Sequence, residues 1–127
     1  MLADNDKQAI REVIEEAYIN GVHRHQDEKK MKDGFHHDFA MLVLSNNEID
    51  KVNIDEWLKR VAELKEKDPE LWKSETSCDF RLVDVTRNAA VAKLDVYKGT
   101  TQFSTDYMLL YKFKEGWRIV SKIFTVP

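Results

Sequence analysis

Two charged residues sit inside stretches otherwise built of apolar strand formers. They are Asp106 in Thr105-Asp106-Tyr107-Met108-Leu109-Leu110 and Lys122 in Ile119-Val120-Ser121-Lys122-Ile123-Phe124. A lone charge withdrawn from water is costly, so the two are expected to pair. Facing a cavity, Lys122 would anchor an anionic or carbonyl-bearing ligand and Asp106 would orient it; at a barrel rim the same pair would be structural. A second group is Phe35-His36-His37-Asp38. Histidine moves protons near neutral pH, and an aspartate in apolar surroundings can act as a base. His36, Asp38 and Asp106 are therefore the candidate catalytic residues, although His36-His37-Asp38 also fits a helix-to-strand loop that caps backbone groups. Tyr18, or Tyr107 if its face turns inward, would supply a hydrogen-bond donor. Trp57, Met108 and Phe124 would wall a flat ring, with Trp72, Phe103 and Tyr107 as further aromatics; such residues also serve as plain core. The candidate ligand-binding set is thus Tyr18, Trp57, Asp106, Met108, Lys122 and Phe124.

Other groups carry less. His23-Arg24-His25 and His36-His37 offer imidazoles, but their spacing matches no strong metal pattern, and they read as loop histidines near a helix end; no metal is expected. Cys78 reads as a half-buried strand residue without an activating base. Lys65–Glu70 mixes signs, as a solvated helix end does. No glycine-rich phosphate loop and no Gly-x-Ser-x-Gly nucleophile motif occurs, and no cofactor is expected.

The elements that must hold these residues follow from periodicity. Ile10, Val13, Ile14, Ala17 and Tyr18 mark one face of a helix over Asp6–Val22. Asn5 and Gln8 resemble a capping box at its start, and Gly21 is placed to end or weaken it. A second helix is expected over Ile54–Lys67, with Asn53 and Glu56 at capping-box spacing, a stripe of Ile54, Trp57, Leu58, Val61 and Ala62, and Pro69 as its limit. Asp27–Lys32 suits one short polar helix before Gly34. Strands are expected over Phe39–Leu44, Glu48–Val52, Thr76–Val85, Ala89–Tyr97, Gln102–Phe113 and Trp117–Val126, punctuated by Arg87-Asn88, Lys98-Gly99 and Glu115-Gly116. Helices grouped before a mostly antiparallel meander imply an α+β fold with helices on one sheet face.

The last hairpin has two readings. A three-residue loop with Gly116 in a bulge would place Phe113 opposite Trp117, Tyr111 opposite Ile119, Leu110 opposite Val120, Leu109 opposite Ser121, Met108 opposite Lys122 and Asp106 opposite Phe124. Asp106 and Lys122 would then be diagonal neighbours on one face. A two-residue turn would send them to opposite faces. The first register is preferred.

The chain has 127 residues, 43% of them hydrophobic, with a net charge of −3. One domain over residues 1–127 is expected, burying about two-thirds of the unfolded chain's surface. The charge balance lacks the basic patch that non-specific nucleic-acid binding needs. A single cysteine excludes an internal disulfide and a cysteine zinc site. No uncharged stretch is long enough to span a bilayer, and the polar, acidic start does not read as a signal peptide, so a soluble cytoplasmic protein is expected.

The order of these elements resembles the nuclear transport factor 2-like superfamily, and within it most closely the "Putative lumazine-binding" family, a relative of SnoaL-like polyketide cyclases and ketosteroid-isomerase-like domains. The carrying residues are Tyr18-Ile19-Asn20-Gly21, Phe35-His36-His37-Asp38, Asp55-Glu56-Trp57-Leu58, Val83-Asp84-Val85-Thr86, Asn88-Ala89-Ala90-Val91-Ala92-Lys93, Thr105 to Leu110 and Gly116 to Phe124. Relatives often carry Phe-His-Pro-Asp-Ala where this chain has Phe35-His36-His37-Asp38-Phe39, a change that would reshape the pocket mouth. The resemblance implies a cone-shaped (cystatin-like) roll, a curved antiparallel sheet wrapped around the first helix with an internal pocket. It also implies a homodimer through the sheet's outer face; Tyr111, Trp117 and Ile119 buried between subunits would favour an assembly role. Three functions remain open: a binding domain for a small flat-ring organic ligand of flavin or pterin type; a cofactor-free isomerase, cyclase or dehydratase; and a dimerisation or assembly module. In isomerase-like relatives a pocket carboxylate removes a proton beside a carbonyl and a tyrosine or protonated acid stabilises the enolate.

Overall fold

A computed structural model of the chain describes residues 2–127, with side chains from residue 5 onward. Helix α1 (Leu2–Ile14) runs without a break into a π-helical segment (Glu15–Arg24). Ile10, Ile14, Ala17 and Tyr18 are buried along it, as the periodicity requires. Asn5 lies inside α1 and not at its start, so the expected capping box does not form; Gln8 donates to Glu12 instead. Gly21 does not end the helix. It lets α2 (Glu28–Gly34) approach, since a Cβ there would lie 3.1 Å from Met31 Cγ. At Gly34 a Cβ would lie 2.3 Å from that of Ala17, so only glycine fits at this crossing.

The caps of the later helices are local. Asp27 accepts from the backbone N–H groups of Lys29 and Lys30 at the start of α2. Asn53 accepts from Glu56 N at 2.9 Å at the start of α3 (Ile54–Lys67). Asp68 and Pro69 open a further short helix, α4 (Pro69–Lys73), which the reading of Pro69 as a stop overlooked. Proline disfavours helical geometry in the residue before it, which ends one helix, yet suits the first turn of the next.

The six strands are β1 (Phe35–Ser45), β2 (Glu48–Val52), β3 (Thr76–Thr86), β4 (Ala89–Lys98), β5 (Thr101–Phe113) and β6 (Gly116–Thr125). They form one curved, unclosed sheet in the order β2-β1-β6-β5-β4-β3, and only β1 and β6 run parallel. Three bulges interrupt the antiparallel ladders: Arg81 in β3, Phe103 in β5 and Val120 in β6. Each extra residue bends its strand and increases the local twist.

The β5–β6 register departs from expectation at the turn and agrees with it farther on. Phe113 pairs with Gly116, Lys112 with Trp117 and Leu110 with Ile119, as in a two-residue turn. Val120 then adds the extra residue, and Leu109–Ser121, Met108–Lys122 and Asp106–Phe124 follow. The bulge is in mid-strand, not at Gly116.

The concave face, with Ala92, Leu94, Val96, Met108, Leu110, Trp117 and Ile119, packs on the α1 stripe and forms the core. Trp117 and Ile119 are therefore core residues and cannot serve a dimer face; the Trp117 indole donates to Asp6. The convex face leaves Leu82, Tyr107, Leu109, Tyr111 and Ile123 exposed. Tyr107 thus points away from the core. Among the described residues no helix is long and apolar enough to cross a membrane.

Candidate functional site

Strand alternation turns Ser104, Asp106 and Met108 of β5 inward together. The Val120 bulge then brings Lys122 to the same face. Asp106 is 0% exposed and Lys122 4%. The Lys122 ammonium lies 3.8 Å from Asp106 Oδ1, and Tyr18, from the π-helical segment, donates its hydroxyl to Asp106 Oδ2 at 2.5 Å. Lys122 Nζ also lies 4.8, 4.7 and 4.6 Å from the ring centres of Tyr18, Trp57 and Phe124, inside a cation–π cage. Burial pulls the Lys122 pKa down, and Asp106 opposes that shift. Burial and then the Asp106 charge push the Tyr18 phenol well above its ordinary value, so it remains a donor.

A second half adjoins this pair. His23 lies five residues after Tyr18, and i→i+5 hydrogen bonding brings such residues into register in a π-helix. The Tyr18 and His23 rings meet edge to face at 4.8 Å. His23 also stacks on Trp72 at 5.5 Å and meets the edge of Phe103. It is 4% exposed, which overturns its reading as a loop histidine. Burial, then the charges of Lys98 and Lys122, hold its pKa well below 6.5, so the ring is neutral near pH 7.

Lys98 is 1% exposed; its ammonium stands 3.8 Å over the Trp72 ring and donates to Thr76 Oγ1 at 3.1 Å. Burial lowers its pKa to about 8. Four buried side-chain atoms among the described residues have no hydrogen-bond partner: His23 Nδ1 and Nε2, Ser104 Oγ and Asp106 Oδ1.

The structure brings Tyr18, Trp57, Asp106, Met108, Lys122 and Phe124 into one buried neighbourhood. It keeps His36 and Asp38 out of it. His36 is half-buried and stacks on Phe113, and its Nδ1 accepts from Asp38 N; His37 and Asp38 are exposed. His36 and His37 line a surface cleft of about 730 Å³ together with Lys32, Asn53, Asp55 and Arg118. Ligand atoms of His36, His37 and Asp38 lie within 4.8 Å of one another. His23 points inward and His25 is exposed, and neither joins the His36–His37–Asp38 group. Phe39, at the position of the departure from the family pattern, stacks on Trp57 at 5.7 Å and closes the core there.

Thr76, Lys98 and Ser104 were missed from sequence, and His23 was read only as a loop histidine. Ser104 had a signal, two residues before Asp106 on the same strand face, and Lys98 shares the parity of Leu94 and Val96. Lys98 was instead read with Gly99 as turn punctuation. His23 had no signal under a 3.6-residue period.

Residues 5–125 match the family described as "Putative lumazine-binding". None of the curated proteins matches the chain. Among solved structures, an NTF2-like protein of unknown function from Silicibacter pomeroyi superposes with a TM-score of 0.78 at 16% identity, covering 100% of both chains. A second, from Shewanella baltica, gives 0.72 at 21% identity, covering 98% of this chain and 95% of that one. A domain of unknown function with a cystatin-like fold from Nostoc punctiforme gives 0.65 at 14% identity, covering 97% and 78%. These likenesses show the fold.

Proposed function

The chain belongs to the "Putative lumazine-binding" family of nuclear transport factor 2-like proteins, and from that premise we propose that its concave interior receives a small, flat, partly polar ring, with Asp106, Lys122 and Tyr18 reading the ring's polar edge. The observation that carries this is the cluster near Tyr18 of four buried polar atoms without a hydrogen-bond partner, one of which, Asp106 Oδ1, faces the Lys122 ammonium at 3.8 Å. A buried polar atom left unsatisfied costs about 1–3 kcal/mol, and a ring with lactam-type edges offers the donors and acceptors that would satisfy such atoms. Trp57 and Met108 form apolar walls, and the partly exposed Phe103 and Phe124 cover the cluster and must swing aside for entry. The family's description favours a pteridine-like ring.

Native mass spectrometry of freshly purified protein, with fluorescence titration by lumazine, tests this. A retained small molecule or saturable lumazine binding, lost in Lys122→Met, is expected. Absence of both, or unchanged binding in that variant, would remove Lys122 and its neighbours from the site.

The domain acts as a homodimer in this reading. Leu82, Tyr107 and Ile123 share one cross-strand row on the convex face, with Leu109 beside it, and all four are exposed. A second copy is the occupant that the family resemblance implies. Sedimentation should give a dimer that Tyr107→Glu with Ile123→Glu converts to a monomer; a monomeric parent would exclude it.

A further inference from the structure

Strand β1 breaks its pairing where the surface cleft begins. Phe35 stands opposite Ile119 and Ala40 opposite Ser121 on the parallel neighbour β6, so β1 carries extra residues between them. Regular alternation would send His36 and His37 to opposite faces of the sheet. Extra residues re-aim side chains, and here the two imidazoles lie together, with ring centres 4.1 Å apart. Both line the cleft, and Phe113 packs on the His36 ring at 4.8 Å and holds it there. Asp38 follows them in the chain. Among the described residues this is the one group of histidine, cysteine and carboxylate side chains whose ligand atoms converge, all within 4.8 Å of one another.

His37 Nε2 lies 3.4 Å from Asp38 Oδ2. An N–H···O hydrogen bond runs about 2.7–3.2 Å. Two donor atoms bound at about 2.0–2.2 Å to one tetrahedral ion stand about 3.3–3.6 Å apart. The pair therefore has the spacing of one edge of a coordination shell. His36 Nδ1 accepts from Asp38 N at 3.0 Å, which turns its lone pair toward Asp38. An ion at this point takes the place of that N–H. The His37 and Asp38 side chains are each 82% exposed, so both can turn through the remaining distance without disturbing the core. Two imidazoles and a carboxylate suit zinc and its borderline neighbours, whereas magnesium and calcium take oxygen ligands.

We propose that His36, His37 and Asp38 bind one divalent transition-metal ion, zinc or a metal of like preference, at the rim of the cleft. Three protein ligands leave a fourth position for water or a small ligand, whereas closed structural sites use four. That position faces the cleft that both imidazoles line, and its volume of about 730 Å³ gives such a molecule room. The histidine spacing gave no sign of this in sequence, because adjacent strand residues ordinarily point apart. The site is separate from the interior cluster and stands whether or not a ring binds there.

Isothermal titration of the full, tag-free chain with Zn²⁺ and with Mg²⁺ tests the proposal. Zn²⁺ should bind at one equivalent, and Mg²⁺ should not bind. His37→Ala and Asp38→Asn should each weaken Zn²⁺ binding at least about tenfold, a loss seen even for residues that only orient a metal ligand. His25→Ala removes an exposed histidine outside the group and should leave binding unchanged. All three substitutions are at exposed positions, so circular dichroism should match the parent. No Zn²⁺ uptake, or equal uptake of the two ions, would overturn the proposal. So would Zn²⁺ binding that survives His37→Ala combined with Asp38→Asn, or binding lost in His25→Ala.

Discussion

The interior cluster and the surface cleft invite opposite expectations. The cleft beside His36 and His37 is open, about 730 Å³, and rich in titratable side chains. The interior holds fewer such groups, packed under Phe103 and Phe124. Yet Tyr18, His23, Cys78, Lys98 and Lys122, the groups that burial perturbs, all face the interior. Their largest cause is the same in each case, loss of water around the charged form. Size of opening marks where a molecule can rest, whereas desolvation marks where the chain has given up solvation that a ligand can restore. The interior is thus the better functional candidate, and of the three residues considered for proton transfer only Asp106 lies there.

That contrast breaks most sharply at Asp106. Asp106→Ala would leave the Lys122 ammonium buried without its counter-ion and the Tyr18 hydroxyl without its acceptor. A loss of about 3–5 kcal/mol in urea unfolding is expected, as for other broken buried pairs. Asp38→Ala, in the exposed group, should leave the unfolding midpoint where it was. Similar losses in the two variants would end the distinction between the regions.

His23 gives the next effect. Its folded pKa lies below the unfolded 6.5, so the unfolded chain binds the proton more readily. Stability present above pH 6.5 should therefore fall as pH drops below that value towards the folded pKa. His23→Phe removes two unpartnered nitrogens, and should raise stability by about 1–3 kcal/mol and flatten the acid limb of a denaturation series. An unchanged limb would show that another group carries it.

Lys98 acts at the alkaline end of the scale. Its folded pKa of about 8 lies below its ordinary 10.5, so the unfolded chain holds more protons between these values. Ligand-free stability should rise with pH across that window. Lys98→Met should remove the part of the rise that begins near pH 8, leaving any contribution from Lys122. A parent protein with no rise would mean that Lys98 is better hydrated than its packing implies.

Much of the scaffold was legible in sequence because it is local. The Asn53 cap, the Ile54–Lys67 stripe, the β2 limits and the alternation of β5 each depend on residues a few positions apart. The Asp106–Lys122 neighbourhood was legible for a related reason, since two charges in apolar strands require partners. What escaped notice depended on backbone irregularity. The expected Gly116 bulge and the observed Val120 bulge give the same register beyond Leu109, so the pairing came out right although the extra residue sits elsewhere. Trp117 and Ile119, between the two bulge positions, were therefore assigned to the wrong face. His23 was missed because a 3.6-residue period places it off the Tyr18 face and the π-helix restores it.

By itself, then, the sequence determined an α+β chain of helices before a meander, the caps and turns, and the need for Asp106 and Lys122 to find each other. Those outcomes follow from local backbone preference and from the cost of burying charge. Only the tertiary structure decided which bulge set the register, which aromatics turned inward, and that Lys98, Thr76 and His23 would meet beside Trp72. These three residues come from β4, β3 and the π-helical segment, and nothing local ties them. Their meeting depends on how far the sheet bends over the helix, a quantity fixed by packing across the whole core.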